Sequence, residues 1–244
     1  RGFDASRAAR SAQRMDPRRM TPRAPLSVRG AQAATHRSPA QRLAEELARQ
    51  GISHPDVLRV MGQLERHRFV DGAFHERAYE AQSALPIGFA QTISQPAVVA
   101  LMTQALLDGK RRARVLEVGT GSGYQTAVLA QLCETVFTVE RVRALSEQAR
   151  IRLSSMGLRN VHFGYADGSL GWLPYAPYDG ILVTAASAEV PEALLTQLAP
   201  HGRLVIPVGA PGQQVLRVVD RRITRYSVQD IAQVSFVPLL GGKV

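Results

Sequence analysis

Three glycines at alternate positions, Gly119, Gly121 and Gly123, form the segment of this chain best suited to hold a ligand. They follow residues 115–118, a short apolar run that predicts a buried strand, and they precede a helical pattern that begins at Tyr124. Because glycine has no Cβ atom, the backbone here can turn sharply and approach a bound molecule closely. This order of elements is typical of sites for adenosine-containing cofactors. An ordinary strand-to-helix turn with no ligand is the alternative interpretation.

A carboxylate follows the next predicted strand. Residues 136–139 form a second apolar run, and Glu140 stands at its end, 21 residues after Gly119. A carboxylate at this position can accept hydrogen bonds from both hydroxyl groups of a ribose. The spacing GxGxG differs from the GxGxxG of dinucleotide sites, in which a helix N-terminus faces a pyrophosphate. The pattern therefore favours a nucleoside-type cofactor without phosphate, such as S-adenosylmethionine.

Residues that follow predicted strands are the other candidate cofactor contacts, because parallel sheets bind ligands beyond the carboxyl ends of their strands. Asp167 follows a strand predicted at residues 161–165, where it could accept from an adenine amino group while Gly168 leaves room for the ring. A simple Asp-Gly turn is the alternative. Thr184 ends a further strand at residues 180–184. The predicted cofactor contacts are Glu117, Val118, Gly119, Thr120, Gly121, Ser122, Gly123, Glu140, Arg141, Asp167, Gly168 and Thr184.

The elements that must position these residues alternate along the chain. Apolar strand-like runs and helical patterns succeed each other up to residues 204–208. This order predicts an α/β fold with a doubly wound, mostly parallel Rossmann-like sheet. Two late runs, residues 215–219 and 234–237, have no helical pattern between them and predict an antiparallel C-terminal edge. Ahead of the sheet, helical spacing after Ser38 predicts a small N-terminal helical lobe, with the Ser38 hydroxyl as its cap.

We expect three segments. Residues 1–37 form a basic extension, residues 38–108 contain the N-terminal helices and a long irregular loop at residues 68–96, and residues 109–244 form the cofactor-binding core. The extension lacks hydrophobic periodicity and is rich in Arg, Ala, Ser and Pro, a composition typical of mobile chain. Its arginines could contact RNA or another anionic surface without specificity. A solvated extension is the favoured interpretation.

Charge and composition limit the class of function. The net charge is +10, but nine arginines and two aspartates in residues 1–37 leave only +3 for the rest. A nucleic-acid enzyme should carry a basic face in its catalytic body, so no stable nucleic-acid partner is expected. No apolar run approaches the roughly 18–20 residues of a membrane span, so no membrane association is expected. The single cysteine, Cys133, fits a reducing cytoplasm, and the histidines show no metal-ligand spacing.

The most specific signature lies in the long loop, at residues 84–96 (ALPIGFAQTISQP). Together with residues 116–124 (LEVGTGSGY), residues 177–186 (PYDGILVTAA) and the C-terminal segments GRLVIPVG and FVPL, it makes the chain resemble the protein-L-isoaspartate O-methyltransferase family. The resemblance runs from about Gln41 to the C-terminus. Glycine loops occur in many methyltransferases, whereas the loop signature points to this family.

The resemblance implies a class I methyltransferase fold, S-adenosyl-L-methionine as donor and S-adenosyl-L-homocysteine as product. The implied acceptor is the free α-carboxylate of L-isoaspartyl residues in damaged proteins and peptides. The methyl ester then closes to a succinimide, which opens partly to normal aspartate. Ser94 is the implied catalytic residue, with helix capping as its alternative role, and the enzyme is expected to be a monomer. The implied substrate contacts are Ile87, Gln91, Thr92, Ile93, Ser94, Thr184 and Ala185.

Two other classes of function stay open at this point. One is a methyltransferase for RNA or a small molecule, although Thr184 stands where a Pro-Pro-Tyr type motif would grip an amine. The other is a catalytically silent binding module, against which the intact glycine loop, Glu140 and Ser94 argue. Residues 79–84 carry one residue more than the usual family form, and Ala90 replaces a frequent glycine. Both departures concern the shape of the loop and leave the cofactor groups in place.

Overall fold

The computed structural model describes residues 37–223 and 225–244, so the extension predicted at residues 1–37 lies outside the described residues except for Arg37. The α-helices of the described part are α1 (Pro39–Arg49), α2 (Pro55–Met61), α3 (Pro96–Leu107), α4 (Tyr124–Ala130), α5 (Arg143–Ser155) and α6 (Glu192–Thr196). Its strands are β1 (Leu85–Gly88), β2 (Gln91–Ile93), β3 (Arg114–Val118), β4 (Thr135–Glu140), β5 (Val161–Tyr165), β6 (Tyr178–Val183), β7 (Leu198–Val208), β8 (Gln214–Arg221) and β9 (Tyr226–Val234).

Strands β3 to β9 form one twisted sheet in the order β5-β4-β3-β6-β7-β8-β9. The first five in this order are parallel, and β8 and β9 add antiparallel pairs at one edge. The predicted fold class is confirmed, including the antiparallel edge. The position predicted for the last strand is wrong, because β9 covers Tyr226–Val234 and not residues 234–237. Most of its side chains are exposed, so the edge strand lacks the apolar run by which buried strands are detected.

Successive residues of the central strands pack into two different hydrophobic clusters, one on each face of the sheet. On β3, Val115 belongs to one cluster, and Leu116 belongs to the other. The first cluster also takes in Leu47 of α1 and Leu106 of α3. The boundary predicted after residue 108 therefore falls inside one compact unit that spans residues 37–244.

The N-terminal helix begins as its sequence predicts. The Ser38 hydroxyl accepts a hydrogen bond from the Gln41 backbone N–H (3.1 Å), and the Gln41 side chain accepts one from the Ser38 N–H (2.8 Å). This reciprocal pair satisfies two N–H groups that a helix start leaves free. It fixes α1 so that Leu43 and Leu47 are buried against the sheet domain.

The long loop predicted at residues 68–96 contains an antiparallel hairpin, β1–β2, in which Leu85 pairs with Ile93. Gly88, Phe89 and Ala90 form its tip with φ values of +87°, +53° and +55°, a region that residues with a Cβ atom seldom adopt. The strands were not predicted because they are short and contain Pro and Gly, which are depleted in strands. The hairpin delivers residues 91–94 to the start of α3.

Two features are absent from the described residues. No helix within residues 37–223 and 225–244 combines the length and apolar content needed to cross a bilayer. In the same part of the chain, no group of three or more His, Cys, Asp or Glu side chains is arranged to hold a metal ion.

Candidate active site

A cavity lies beyond the carboxyl ends of β3, β4 and β6, where the β1–β2 hairpin faces the glycine loop. All predicted substrate contacts line it: Ile87, Gln91, Thr92, Ile93, Ser94, Thr184 and Ala185. Most predicted cofactor contacts line it too: Val118, Gly119, Thr120, Gly121, Ser122, Glu140, Arg141, Gly168 and Thr184. Glu117, Gly123 and Asp167 do not form part of its wall. The fold thus brings the predicted substrate contacts and nine of the twelve predicted cofactor contacts into one cavity.

The glycine loop is hydrogen-bonded to the ends of the two neighbouring strands, β4 and β6. Gly119 has a φ of +94°, and its N–H donates to the Val139 carbonyl oxygen (2.8 Å). A Cβ atom at Gly119 would lie 2.3 Å from the Thr184 hydroxyl oxygen. That hydroxyl donates toward the carbonyl oxygens of Val118 and Gly119 (3.0 and 2.7 Å). Both the backbone angle and the available space therefore require glycine at this position.

Glu140 is fixed by backbone donors on both of its carboxylate oxygens. Oε2 accepts from the Gly121 N–H and Oε1 accepts from the Val142 N–H, both at 2.9 Å. The side chain is only 6% exposed but still lines the cavity. Each carboxylate oxygen can accept more than one hydrogen bond. Glu140 can therefore tie the glycine loop to β4 and accept from two hydroxyl groups of a ligand at the same time.

Glu117 lies below the glycine loop, completely buried between β3 and α4. Its Oε2 accepts from the hydroxyls of Thr126 (2.5 Å) and Thr138 (2.6 Å). Since the Thr138 hydroxyl donates to Glu117, the Thr120 hydroxyl, 2.6 Å away, donates to Thr138. Within the described residues Oε1 has no hydrogen-bond partner. Glu117 therefore supports the loop residue Thr120 through Thr138 and faces away from the cavity.

Burial raises the pKa of Glu117 from 4.5 to about 8. Between these two pH values the folded state keeps the proton that the unfolded state loses, so the free energy of unfolding should fall as pH rises through this window. The slope contributed by one such group is at most about 1.4 kcal/mol per pH unit. Glu117→Gln removes the titration, so we expect the variant to lose stability less steeply than the wild type between pH 5 and pH 8. Urea unfolding of both proteins at four pH values measures the difference, and equal slopes would contradict the raised pKa.

The Asp167 carboxylate is already engaged by protein groups. Oδ1 accepts from the Ser169 N–H and hydroxyl (2.9 and 2.6 Å), and Oδ2 accepts from the Gly242 N–H (2.6 Å). Burial opposes ionisation, but these hydrogen bonds outweigh it and the pKa of Asp167 is lowered. The adjacent Gly168 does line the cavity, and a Cβ atom there would lie 2.4 Å from a Val118 methyl carbon.

Ser94 stands between the hairpin and α3. Gln95 and not Ser94 occupies the N-cap position of α3, and the structure shows no side-chain cap hydrogen bond there. The capping role considered as an alternative for Ser94 is therefore wrong. Ser94 is one of the residues that line the cavity, and its carbonyl oxygen accepts a hydrogen bond from the Arg66 guanidinium (2.8 Å).

The family model for protein-L-isoaspartate(D-aspartate) O-methyltransferase (PCMT) matches residues 38–244. This chain belongs to that family. The match covers all the elements that build the cavity, from α1 to the C-terminal segment, and leaves out only the basic extension. The resemblance noted from residues 84–96 is confirmed.

Relatives and solved structures agree with this assignment. The chain is 53% identical over 204 residues to a protein-L-isoaspartate O-methyltransferase of Pseudomonas aeruginosa (strain LESB58), covering 84% of this chain and 96% of the relative. It is 55% identical over 203 residues to that of Halorhodospira halophila (strain DSM 244 / SL1), covering 83% and 92%. A solved protein-L-isoaspartate O-methyltransferase superimposes with a TM-score of 0.75 at 26% identity, covering 83% of this chain and 66% of that structure.

A second structure is a candidate member of the family from Plasmodium falciparum, solved in complex with S-adenosyl-L-homocysteine. It superimposes with a TM-score of 0.71 at 25% identity, covering 82% of this chain and 98% of that one.

Sequence reasoning missed part of the cavity wall that comes from the C-terminal segment, residues 237–240. The Val237 carbonyl accepts from the Ala186 N–H (2.8 Å), and the Leu239 N–H donates to the Ala186 carbonyl (2.7 Å). Residues 237–240 contain no charged residue and no glycine loop, so no chemical pattern identifies them as part of a site. Residues 236–239 (FVPL) contributed only to the family resemblance. The other residues missed in the wall are Val99, Tyr124, Gln125 and Val139.

Proposed function

We propose that this protein transfers a methyl group from S-adenosyl-L-methionine to the free α-carboxylate of L-isoaspartyl residues in damaged proteins and peptides. The observation that supports the proposal is one cavity with two walls, in a chain that belongs to this family. One wall is the glycine loop with Glu140, and the other is the hairpin with Ser94. A donor held by the first wall would lie beside an acceptor held by the second.

The cofactor wall suits an adenosine group without phosphate. Glu140 has acceptor capacity left for two ribose hydroxyls after its bonds to Gly121 and Val142. Gly119 and Gly168 leave space that a Cβ atom would fill. We assign the rest of the cradle to Val118, Thr120, Ser122, Arg141 and Thr184, which line the same wall. When bound, the sulfonium of S-adenosyl-L-methionine supplies an electrophilic methyl group.

The acceptor wall suits a carboxylate. A carboxylate is ionised at neutral pH, so this transfer needs no general base. What the protein must do is hold the acceptor oxygen in line with the methyl group at close approach. We assign this to the Ser94 hydroxyl, which would donate to the acceptor carboxylate. Contacts from the hairpin would hold the rest of the residue in place.

A second cavity offers space for the peptide chain next to the reacting residue. It shares Thr92, Ser94, Thr184 and Val237 with the first cavity and continues between Gln95 and Phe236. A damaged protein is a chain that enters and leaves the site, so a groove that opens directly beside Ser94 fits this acceptor better than a closed pocket for a small molecule would.

We also infer that the enzyme acts as a monomer in the cytoplasm, without a stable nucleic-acid partner. Both walls of the cavity come from one chain, and residues 38–244 carry a net charge of only +3. Burial raises the pKa of the Cys133 thiol to about 12, which keeps the only cysteine unreactive. Light scattering of the purified protein, with and without added RNA, tests the first and last of these points.

Ser94→Ala should lower turnover of an isoaspartyl peptide by roughly 10- to 100-fold, the value of one hydrogen bond to a charged group. Affinity for S-adenosyl-L-homocysteine should stay within twofold, because Ser94 lies on the acceptor wall. Steady-state kinetics and calorimetry measure the two quantities. The matched control is Ser155→Ala, which removes an exposed hydroxyl that bonds the Arg152 carbonyl on α5 and should leave both unchanged. Full turnover in Ser94→Ala would remove Ser94 from the mechanism.

The proposed function is tested with labelled S-adenosyl-L-methionine and two synthetic peptides that differ only in L-isoaspartate or L-aspartate at one position. We expect base-labile label on the isoaspartyl peptide alone. Label on both peptides would contradict the specificity. Label on neither, with binding of S-adenosyl-L-homocysteine established, would overturn the acceptor and direct the search to RNA or small molecules.

A further inference from the structure

Arg66 is a buried cation that has no acidic partner among the residues that the structure describes. It lies in the short 3-10 turn Arg66–Phe69, and its side chain is fully buried. Among the ion pairs of residues 37–223 and 225–244, none includes Arg66. Within the same described part of the chain, the Nε and Nη1 atoms of Arg66 have no hydrogen-bond partner. Its Nη2 atom donates a hydrogen bond to the Ser94 carbonyl oxygen, at 2.8 Å.

Arg66 contacts one lining residue on each side of the cavity but does not line the cavity itself. Its guanidinium carbon lies 4.6 Å from the centroid of the Tyr124 ring, at the start of the helix that follows the glycine loop. The same guanidinium bonds the backbone of Ser94 on the opposite wall. Tyr124 does not neutralise the charge, because burial raises the pKa of its hydroxyl to about 12. The ring presents its π face to the cation and its hydroxyl stays neutral, so Tyr124 contacts Arg66 without supplying a negative charge.

A buried guanidinium without a carboxylate is costly for a fold. Desolvation of an ion in a protein interior costs several kcal/mol, and each N–H without an acceptor adds to that cost. A methionine would fill a similar space over Tyr124 without this penalty. The arrangement therefore indicates that the charge of Arg66 serves to strengthen its hydrogen bond to the Ser94 carbonyl oxygen. A charged donor makes a stronger hydrogen bond than a neutral one, and no acid of the described part of the chain forms an ion pair with Arg66.

We propose that Arg66 is a positioning residue for methyl transfer, which holds the Ser94 backbone so that the Ser94 hydroxyl meets the acceptor carboxylate. The role rests on the proposed function, since it acts through Ser94. Arg66 is not among the residues that line the cavity. It fixes the hairpin end of the acceptor wall against α4, the helix that follows the glycine loop.

The test is a double-mutant cycle of Arg66→Met with Ser94→Ala. We expect Arg66→Met to lower kcat/KM for the isoaspartyl peptide at least tenfold and to leave the affinity for S-adenosyl-L-homocysteine within twofold. In the Ser94→Ala background it should add less than a twofold further loss, because the hydroxyl that it positions is gone. Arg66→Lys retains the charge and should recover part of kcat/KM. It also serves as the variant to test if Arg66→Met does not fold.

The matched control is Arg112→Met. Arg112 is also a buried arginine bonded to backbone carbonyls, those of Leu106, Asp179 and His201, but it precedes β3 at the opposite end of the strands. This variant should lose stability and retain kcat/KM. The positioning role would be overturned if the fold losses in kcat/KM of Arg66→Met and Ser94→Ala simply multiplied in the double variant. A wild-type kcat/KM in Arg66→Met would overturn it as well. A wild-type protein inert on the peptide would overturn the proposed function itself, so the two failures are distinguishable.

Discussion

Replacing Glu140 by alanine is expected to weaken binding of S-adenosyl-L-homocysteine by at least about tenfold, from the loss of hydrogen bonds to a charged acceptor. The carboxylate would lose its bonds to ribose hydroxyls, and the glycine loop would lose the acceptor for its Gly121 N–H, at 2.9 Å in the structure. Calorimetry with the purified protein measures the affinity. Unchanged affinity would show that Glu140 holds neither the ribose nor the loop in the bound state.

Two further variants separate the contributions to this loss. Glu140→Gln keeps one oxygen acceptor of the same size and should bind S-adenosyl-L-homocysteine with an affinity between those of the wild type and Glu140→Ala. Glu147→Ala removes an exposed carboxylate one helical turn into α5 and should leave the affinity unchanged. A loss in Glu147→Ala as large as in Glu140→Ala would indicate a general effect of charge and not of the site.

Gly119→Ala is expected to be the most destabilising substitution in the glycine loop. A residue with a Cβ atom at a φ of +94° is strained by roughly 1–2 kcal/mol. The new Cβ atom would also lie 2.3 Å from the Thr184 hydroxyl oxygen, which cannot rotate away without giving up its bonds to Val118 and Gly119. Loss of such bonds adds roughly 1–3 kcal/mol.

Gly157→Ala is the matched control for this substitution. Gly157 has a similar φ of +76°, but nothing lies within 4 Å of a Cβ atom built there. Urea unfolding should show that Gly119→Ala loses at least about 1 kcal/mol more than Gly157→Ala, the share that comes from the clash and the broken bonds. Equal losses in the two variants would mean that Thr184 accommodates the methyl group freely.

The parts of the site that could be predicted are those whose chemistry is local in sequence. Gly119, Gly121 and Glu140 belong to one strand–helix–strand unit, so their spacing carries the geometry of the cofactor wall. The alternation of side chains along β3 also indicates the direction of Glu117, a residue that was predicted as a cofactor contact. Glu117 points to the opposite face from Leu116 and Val118, and there it meets Thr126. Its side chain therefore supports the loop from below.

The parts that could not be predicted depend on partners distant in sequence. Asp167 follows a strand, as expected for an adenine contact, but its Oδ2 bonds the Gly242 N–H, a partner that no local pattern indicates. Arg66 shows no sign of its role in its neighbours along the chain, because its contacts are Ser94 and Tyr124. The hairpin strands are short and contain Pro86 and Gly88, so tertiary packing and not strand propensity sets them.

The C-terminal wall of the cavity links folding to activity. Residues 237–240 line the same cavity as Thr92 and Ser94, so the site depends on contacts between residues far apart in sequence. Such contacts are associated with slow folding. Partly folded molecules, and molecules in which this segment opens locally, would lack one wall of the cavity. An enzyme that repairs damaged chains would thus work only when its own chain is folded from the first helix of the described part to this last segment.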